Sequence, residues 1–596
     1  MTDPEKTSLK QSIVFIIRAL RLIWNSSHKW SAISLATTVL RGAIPIVMLW
    51  TIKLLIDTVT DQIGTGHFDH RHTIEALVLT AVTFLLNSLS SIGAQLVSTK
   101  HGYCVNDHIA RIIHRKSTKI GYGYFENPDY QDMFYRALTE ASFRPQRVFY
   151  GIAGALQNAL TLCLIGIILL SIHKAMPLML IAVAMPVVIY RIRFSRKYFN
   201  LMRRQTSEVR KSDYYHRLLT AKEFAKEIRL FDLGNLFRHR YVATTLSVRQ
   251  KQYRFILSRT VREMAMQVFM SAVLLAIFSY VIWRTIGGDF SIGSMAMYFM
   301  ALQRGYSSMQ EMLTRIASLY EDNLFLKNLF EYLDIRTSES TAVGDFPSPM
   351  RRGIEVRNVS FKYATTERTV LSNISFEIRP GETVAIVGAN GSGKSTLIKL
   401  LCGLYEPTQG TICIDGRPLS GISRGSIAKN VSVIFQDFML YNASARDNIW
   451  FGNIKCRPTD TNISMAASQA GIAPVFENLK SGYDTSLGNL FPDSEMLSQG
   501  EWQRTALARS FYNDSQIIIL DEPTSSLDAF TESEIIDNFR TIVSRRTAII
   551  VSHRLSTIKM ADRVIVLKDN GIAEQGRLAD LLGQDGYLKS MIDKMK

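Results

Sequence analysis

Gly388-Ala389-Asn390-Gly391-Ser392-Gly393-Lys394-Ser395-Thr396 follows Thr383-Val384-Ala385-Ile386-Val387 and precedes Leu397-Ile398-Lys399-Leu400-Leu401. The first flank reads as a buried strand and the second as a helix. Between them the glycines let the backbone curl, so that its N–H groups face a phosphate chain at a helix N-terminus. Strand, glycine loop and helix in this order are what a P-loop requires. Lys394 then reaches the β- and γ-phosphates, and the Ser395 hydroxyl ligates Mg²⁺. An α/β P-loop NTPase domain follows from this stretch.

A second run, Ile517-Ile518-Ile519-Leu520-Asp521-Glu522, has the apolar content of a strand buried on both faces. Asp521 at its end is expected to hold Mg²⁺ through water. Glu522, one residue on, is placed to polarise the attacking water. Two adjacent acids could instead cap the next helix, but the upstream P-loop weakens that reading.

Around these two elements the sequence resembles the ABC transporter family. Leu497-Ser498-Gln499-Gly500-Glu501 matches the family signature LSGGQ at three positions of five. The resemblance implies that Ser498, Gly500 and Glu501 meet the γ-phosphate of ATP held by an opposite subunit. Gln436, in Val433-Ile434-Phe435-Gln436-Asp437, looks like the glutamine that senses Mg²⁺. Asp528, in Ser525-Ser526-Leu527-Asp528, looks like the aspartate of the dimer seam, and His553 like the switch histidine. Tyr363, in Val359-Ser360-Phe361-Lys362-Tyr363, looks like the aromatic that stacks on adenine. Each short motif alone is weak, since a lone His or Tyr is more often structural. Their common order and spacing carry the resemblance over the whole chain.

Two departures stand out. Gln499 replaces a glycine and Glu501 a glutamine, adding bulk and negative charge beside the expected nucleotide, so slower or retuned hydrolysis is expected. Gly488-Asn489-Leu490-Phe491-Pro492-Asp493-Ser494-Glu495 replaces the family's common Gly-Glu-Arg-Gly stretch. Some bacterial exporters of modified peptides diverge similarly, and their membrane halves carry segments like Phe125-Glu126-Asn127-Pro128 and Lys226-Glu227-Ile228-Arg229-Leu230-Phe231. The resemblance is therefore nearest to bacterial peptide and lantibiotic exporters.

Working outward, the chain has 596 residues, more than one core can serve. Hydrophobic residues form 47% of it, and the long apolar stretches lie before about residue 320. Six of them qualify as spans: 31–56, 74–97, 148–172, 175–192, 262–284 and 292–315. A crossing needs about 20 apolar residues. His173-Lys174 joins the third to the fourth in a tight hairpin, and 57–73 reads as a loop. Residues 12–24, interrupted by Arg18 and Arg21, are too short to cross and read as an interfacial helix. The layout expected is a cytosolic N-terminus over 1–30, a type I exporter membrane domain of six transmembrane helices over 31–332, a linker over 333–352 and a nucleotide-binding domain over 353–596.

The net charge of +17 could signal nucleic acid or an anionic membrane surface. Much of the excess flanks the spans, at Arg111, Arg115, Lys116 and Lys119 and again from Arg191 to Lys211. That placement obeys the positive-inside rule, sets both termini in the cytosol of a multi-pass plasma-membrane protein and argues against nucleic acid. The long basic segments 98–147 and 193–261 read as cytosolic extensions of the spanning helices, each with a turn near its middle. Among the polar residues inside spans, Arg41 and Asn87 are cavity candidates, and helix–helix bonding is the alternative for the amides. Five scattered cysteines form no CxxC pair, and no zinc or disulfide framework is indicated.

One nucleotide domain cannot complete a site whose signature comes from a partner. With Glu522 and His553 both present, a homodimer with two equivalent ATP sites is expected. It lies in membrane lipid and moves a substrate, with a peptide as the leading reading, by alternating access. An exporter-fold importer of siderophore type, or a drug or lipid exporter, is the alternative.

Overall fold

The computed structural model describes residues 9–65, 70–141, 143–335, 344–525, 536, 538–543 and 546–593. They form two compact units. The first comprises residues up to 115 together with 133–334, and the second residues 116–132 together with 335–596.

The first unit is helical. It contains α1 (Leu9–Ser26), α2 (His28–Thr65), most of α3 (His70–Ser117), α6 (Arg144–Leu170), α7 (Met176–Thr220), α8 (Ala225–Leu230), α9 (Gly234–Ile286) and α10 (Ile292–Asp334). All six expected spans lie on helices of this set. Among the described residues four helices are long and apolar enough to cross a membrane: α2, α3, α6 and α9. The fourth and sixth stretches lie on α7 and α10. At about 1.5 Å per residue, the 53 residues of α9 run about 80 Å, far beyond a hydrocarbon core of about 30 Å.

The expected loop over 57–73 is mostly helix, because α2 continues to Thr65. From Ile46 to Ile63 it contains no glycine or proline, and the Thr58 and Thr60 hydroxyls donate to the carbonyls of Leu54 and Ile56. Asp57 thereby meets the start of α10, where its carboxylate accepts from the Gly293 N–H at 2.9 Å. An anion at a helix N-terminus satisfies an orphan donor and the dipole together.

Several polar groups in this unit bond between helices. The buried Thr161 hydroxyl donates to the Gly42 carbonyl at 3.0 Å, and Asn158 donates to Glu311. Asp322, 1% exposed, accepts from Arg144 at 2.5 Å and has Arg147 at 3.5 Å. Arg41 and Asn87 are exposed on α2 and α3.

The second unit takes in α4 (Tyr122–Phe125), the start of α5 (Pro128–Ala141) and the soluble domain. A four-stranded sheet has the order β2-β1-β4-β5. These strands are β1 (Ile354–Lys362), β2 (Thr369–Ile378), β4 (Gln409–Ile414) and β5 (Arg417–Pro418). A six-stranded sheet has the order β10-β9-β3-β8-β7-β6. It is built from β3 (Thr383–Gly388), β6 (Val431–Ile434), β7 (Ile517–Asp521), β8 (Thr547–Val551), β9 (Arg563–Lys568) and β10 (Gly571–Gly576).

Strands β9, β3, β8, β7 and β6 pair in parallel, and β3, β7 and β8 are buried throughout. Unbroken apolar runs suit strands covered on both faces. Between the sheets lie Leu371, Ile374, Leu397 and Ile519. A second core holds the helical lobe, with Trp502 and Phe511 of α16 (Gln499–Tyr512) against Phe476 and Ile449.

The expected linker 333–352 is heterogeneous. Asp334 ends α10, residues 336–343 lie outside the described residues, and Phe346 and Met350 are buried in the soluble core. Asp415 secures this entry by accepting the backbone N–H groups of Arg351, Arg352 and Gly353 at 2.7–2.8 Å.

Candidate nucleotide site

The parallel sheet gathers the expected site residues at one edge. The loop 388–393 follows β3, His553 follows β8, Glu522 follows β7 and Gln436 follows β6, all at strand C-terminal ends. Open α/β sheets bind ligands along that edge. The strand order β3-β8-β7-β6 sets the four groups side by side.

The loop turns through Gly391 at φ +81° and Gly393 at φ +97°, left-handed conformations that favour glycine. A Cβ on Gly393 would also stand 2.6 Å from the Leu371 side chain. Helix α11 (Lys394–Leu401) starts there, with Ser395 and Thr396 in its first turn. The Lys394 ammonium donates to the carbonyls of Gly388 and Ala389 at 2.8 and 3.0 Å. Burial pulls its pKa below the usual lysine range, opposed by the nearby Glu522 and Asp521 carboxylates. The Ser392 hydroxyl is buried without a hydrogen-bond partner in the loop that would receive phosphate.

Asp521 is buried, and burial raises its pKa to about 6 despite a hydrogen bond from Ser395, with Glu522 adding repulsion. Such a carboxylate beside a hydroxyl fits a divalent cation, which would restore the ionised form. Among the described residues no group of three or more acidic, His or Cys side chains is preformed for a metal. Mg²⁺ in nucleotide sites takes one or two carboxylates, phosphates and water, so Ser395, Asp521 and Gln436 suffice as its protein partners.

Glu522 sits at φ +50°, a conformation that costs a non-glycine residue about 1–3 kcal/mol, with its N–H bonded to the Val551 carbonyl of β8. Its carboxylate accepts from Gln436 at 3.0 Å and lies 3.5 Å from His553 Nε2. Burial and Lys394 hold His553 below the usual histidine range, so it is neutral at pH 7. A neutral imidazole beside the Glu522 side chain would be able to accept or relay a proton at the water that Glu522 would polarise. Gln503, which no single motif marked, donates to the Glu522 carbonyl at 3.1 Å and to Ser525 at 3.3 Å. It lies one turn into α16, and helical spacing from the signature was its only signal in the sequence.

The Tyr363 hydroxyl is 2.9 Å from that of Thr396. Ser498 is exposed at the N-terminus of α16. There the Glu501 N–H donates to the Ser498 hydroxyl at 3.3 Å, and the Ser498 N–H donates to the Glu501 carboxylate at 2.7 Å. This reciprocal capping box gives Glu501 a local structural partner for its charge. Asn390 lies in the glycine loop and Gly500 in the first turn of α16, while Asp528 falls outside the described residues. In the divergent loop, Gly488 turns at φ +105°, and the Asn442 side chain accepts the N–H groups of Asn489 and Leu490. Leu490 and Phe491 are left exposed.

A P-loop at a parallel sheet edge, with the acid pair, histidine and glutamine beside it, defines an ATPase domain, here fused to a helical unit with membrane-crossing helices. The profile of the ABC transporter family matches residues 371–525. The subtilin transport ATP-binding protein SpaT of Bacillus subtilis is 28% identical, over 99% of this chain and 96% of that protein. The nisin transport ATP-binding protein NisT of Lactococcus lactis subsp. lactis is 26% identical, over 96% and 94%. The solved structure of a bacterial Atm1-family ABC exporter with ATP bound aligns at a TM-score of 0.79 and 21% identity, covering 96% of this chain and 99% of that one. Residues 371–525 are an ABC transporter domain, the chain is similar along its length to these two transport proteins, and its ATP-binding domain makes it an ATP-driven translocase.

Proposed function

We propose that two copies of this chain form an exporter of an amphipathic peptide in the plasma membrane, with both termini cytosolic. The observation that carries the reading is the complete set at the sheet edge: Lys394, Gln436, Glu522 and His553 all stand in one chain. A chain that holds its own catalytic acid and histidine does not need a different subunit to supply them, which supports a homodimer. End-to-end similarity to two lantibiotic transport proteins supports a peptide cargo. In this reading ATP brings two nucleotide domains together, Ser498 and Gly500 of one chain close on the phosphates held by the other, and hydrolysis reopens the pair. When bound, Mg²⁺ would supply charge neutralisation at the phosphates. Lys394, Ser395 and Asp521 would hold the phosphates and the ion, and Glu522 would orient water.

The test is reconstitution of the purified chain in liposomes, with MgATP outside and nisin, an unmodified linear peptide of equal charge, or a panel of lipids and drugs offered. Nisin-stimulated ATP turnover with nisin accumulating inside inverted vesicles is the expected result. Turnover stimulated only by lipids or drugs removes the peptide reading. Accumulation only in the opposite orientation removes export.

A further inference from the structure

The segment 116–132 belongs to the same compact unit as the nucleotide domain, although residues 133–334 of the helical unit lie between the two in sequence. Its attachment is specific. The Glu126 carboxylate accepts from the Lys399 ammonium at 2.9 Å through one oxygen and from the Tyr405 hydroxyl through the other. Lys399 also lies 5.4 Å from the ring centre of Tyr122. Burial pushes the Glu126 pKa upward, but Tyr405 and Lys399 outweigh it and keep the carboxylate ionised. At Gly123 an added Cβ would stand 2.9 Å from the Tyr405 ring, so this backbone approaches the aromatic as closely as a glycine permits.

Tyr405 then meets Tyr363 edge-on, with ring centres 5.5 Å apart at 86°. Tyr363 shares its hydroxyl hydrogen bond with Thr396, which stands on α11 as Lys399 does. The contacts close a ring: α11, Lys399, Glu126, Tyr405, Tyr363, Thr396 and back to α11. One helix, the P-loop helix, carries both ends. The tyrosine expected to receive the nucleobase is therefore also a member of the structure that holds segment 121–127. A base stacking on Tyr363 would load a ring that is held at its edge by Tyr405 and at its hydroxyl by Thr396, and Tyr405 links that ring to Glu126.

We propose that Glu126 and Tyr405 are positioning residues that report nucleobase occupancy at Tyr363 to segment 121–127, so that the base, and not the phosphates alone, sets the position of that segment. This rests on Tyr363 as the adenine platform.

Hydrogen exchange on the full chain in lipid nanodiscs tests it, with saturating Mg-AMP-PNP compared with saturating Mg-tripolyphosphate. In the unaltered protein AMP-PNP changes exchange of the 121–127 amides by about threefold or more, and tripolyphosphate leaves it within about twofold. Glu126→Gln and Tyr405→Phe bind AMP-PNP within about twofold of the unaltered protein yet lose the exchange response. That retained affinity also shows the variants folded. An equal response to both ligands, no response in the unaltered protein, or a response retained in both variants overturns the proposal. Tyr363→Ala separates the two readings. If it binds AMP-PNP undiminished, the adenine platform itself is wrong. If its affinity falls about tenfold, a loss of about 1.4 kcal/mol, the platform stands and the exchange data judge the relay alone.

Discussion

At Glu522 a left-handed backbone, a Gln436 hydrogen bond and a neighbouring histidine meet on one carboxylate. In the proposed function a group so held would serve as the general base, worth about 10²–10⁴-fold in rate. Glu522→Gln is expected to lower ATP turnover by that order while AMP-PNP affinity, measured by calorimetry, is retained. Asp521 adds a pH dependence. Its folded pKa of about 6 lies above the ordinary 3.8, so its contribution to stability without nucleotide is fully present below pH 3.8 and is lost as pH rises through about 6. Mg²⁺ needs the ionised form, so Mg²⁺ affinity in the presence of AMP-PNP should fall as pH drops below about 6, read by titration from pH 8 to 5. Glu501 has a different assignment. Serine followed three residues on by glutamate is a capping-box pattern legible without coordinates, and the box gives Glu501 a structural role at the start of α16. Glu501→Ala should cost about 1 kcal/mol of domain stability and Glu501→Gln less, since Gln also completes a box. A thermal melt that ranks them otherwise counts against the box. What could not be read from the residues is the positive φ of Glu522, which arises where β7 delivers the chain against β8.

Among the elements, hydrophobic runs announced the helices and strands well because both sheet faces and the spanning segments need unbroken apolar sequence. Boundaries were less legible. The stretch after Asp57 looked like a loop because its aspartates and threonines are polar, yet those threonines bond back to carbonyls of the same helix and Asp57 has α10 as its partner. The basic segment 98–147 reads as a cytosolic extension that reaches the ATPase domain, and within it Glu126 and the glycine at 123 hold residues 116–132 in the nucleotide unit, a partnership between residues hundreds of positions apart. Asp322 makes the matching statement for the helical unit. Its charge is buried and compensated by Arg144 on α6. Removing one partner of such a pair leaves the other buried and uncompensated, so Asp322→Ala should cost about 3–5 kcal/mol, seen as a lowered melting temperature in detergent.

For the whole molecule, two chains are needed if the signature acts across the dimer. A Lys394→Ala chain and a Gly500→Glu chain should each be inactive alone. Co-purified through different tags, the mixed pair keeps one P-loop and one signature intact facing each other, so ATP turnover should reappear. A mixture as inactive as its parts would reject two equivalent shared sites. Length has a mechanical consequence as well. Helix α9 runs 53 residues from Gly234 to Ile286 without a proline or an internal glycine. A rod of about 80 Å tilted by about 5° moves its far end by about 7 Å, more than a full helical pitch of about 5.4 Å. Angular changes too small to disturb packing near the pivot become displacements large enough to change which side chains meet at the tip. An uninterrupted helix of this length has the geometry of a lever.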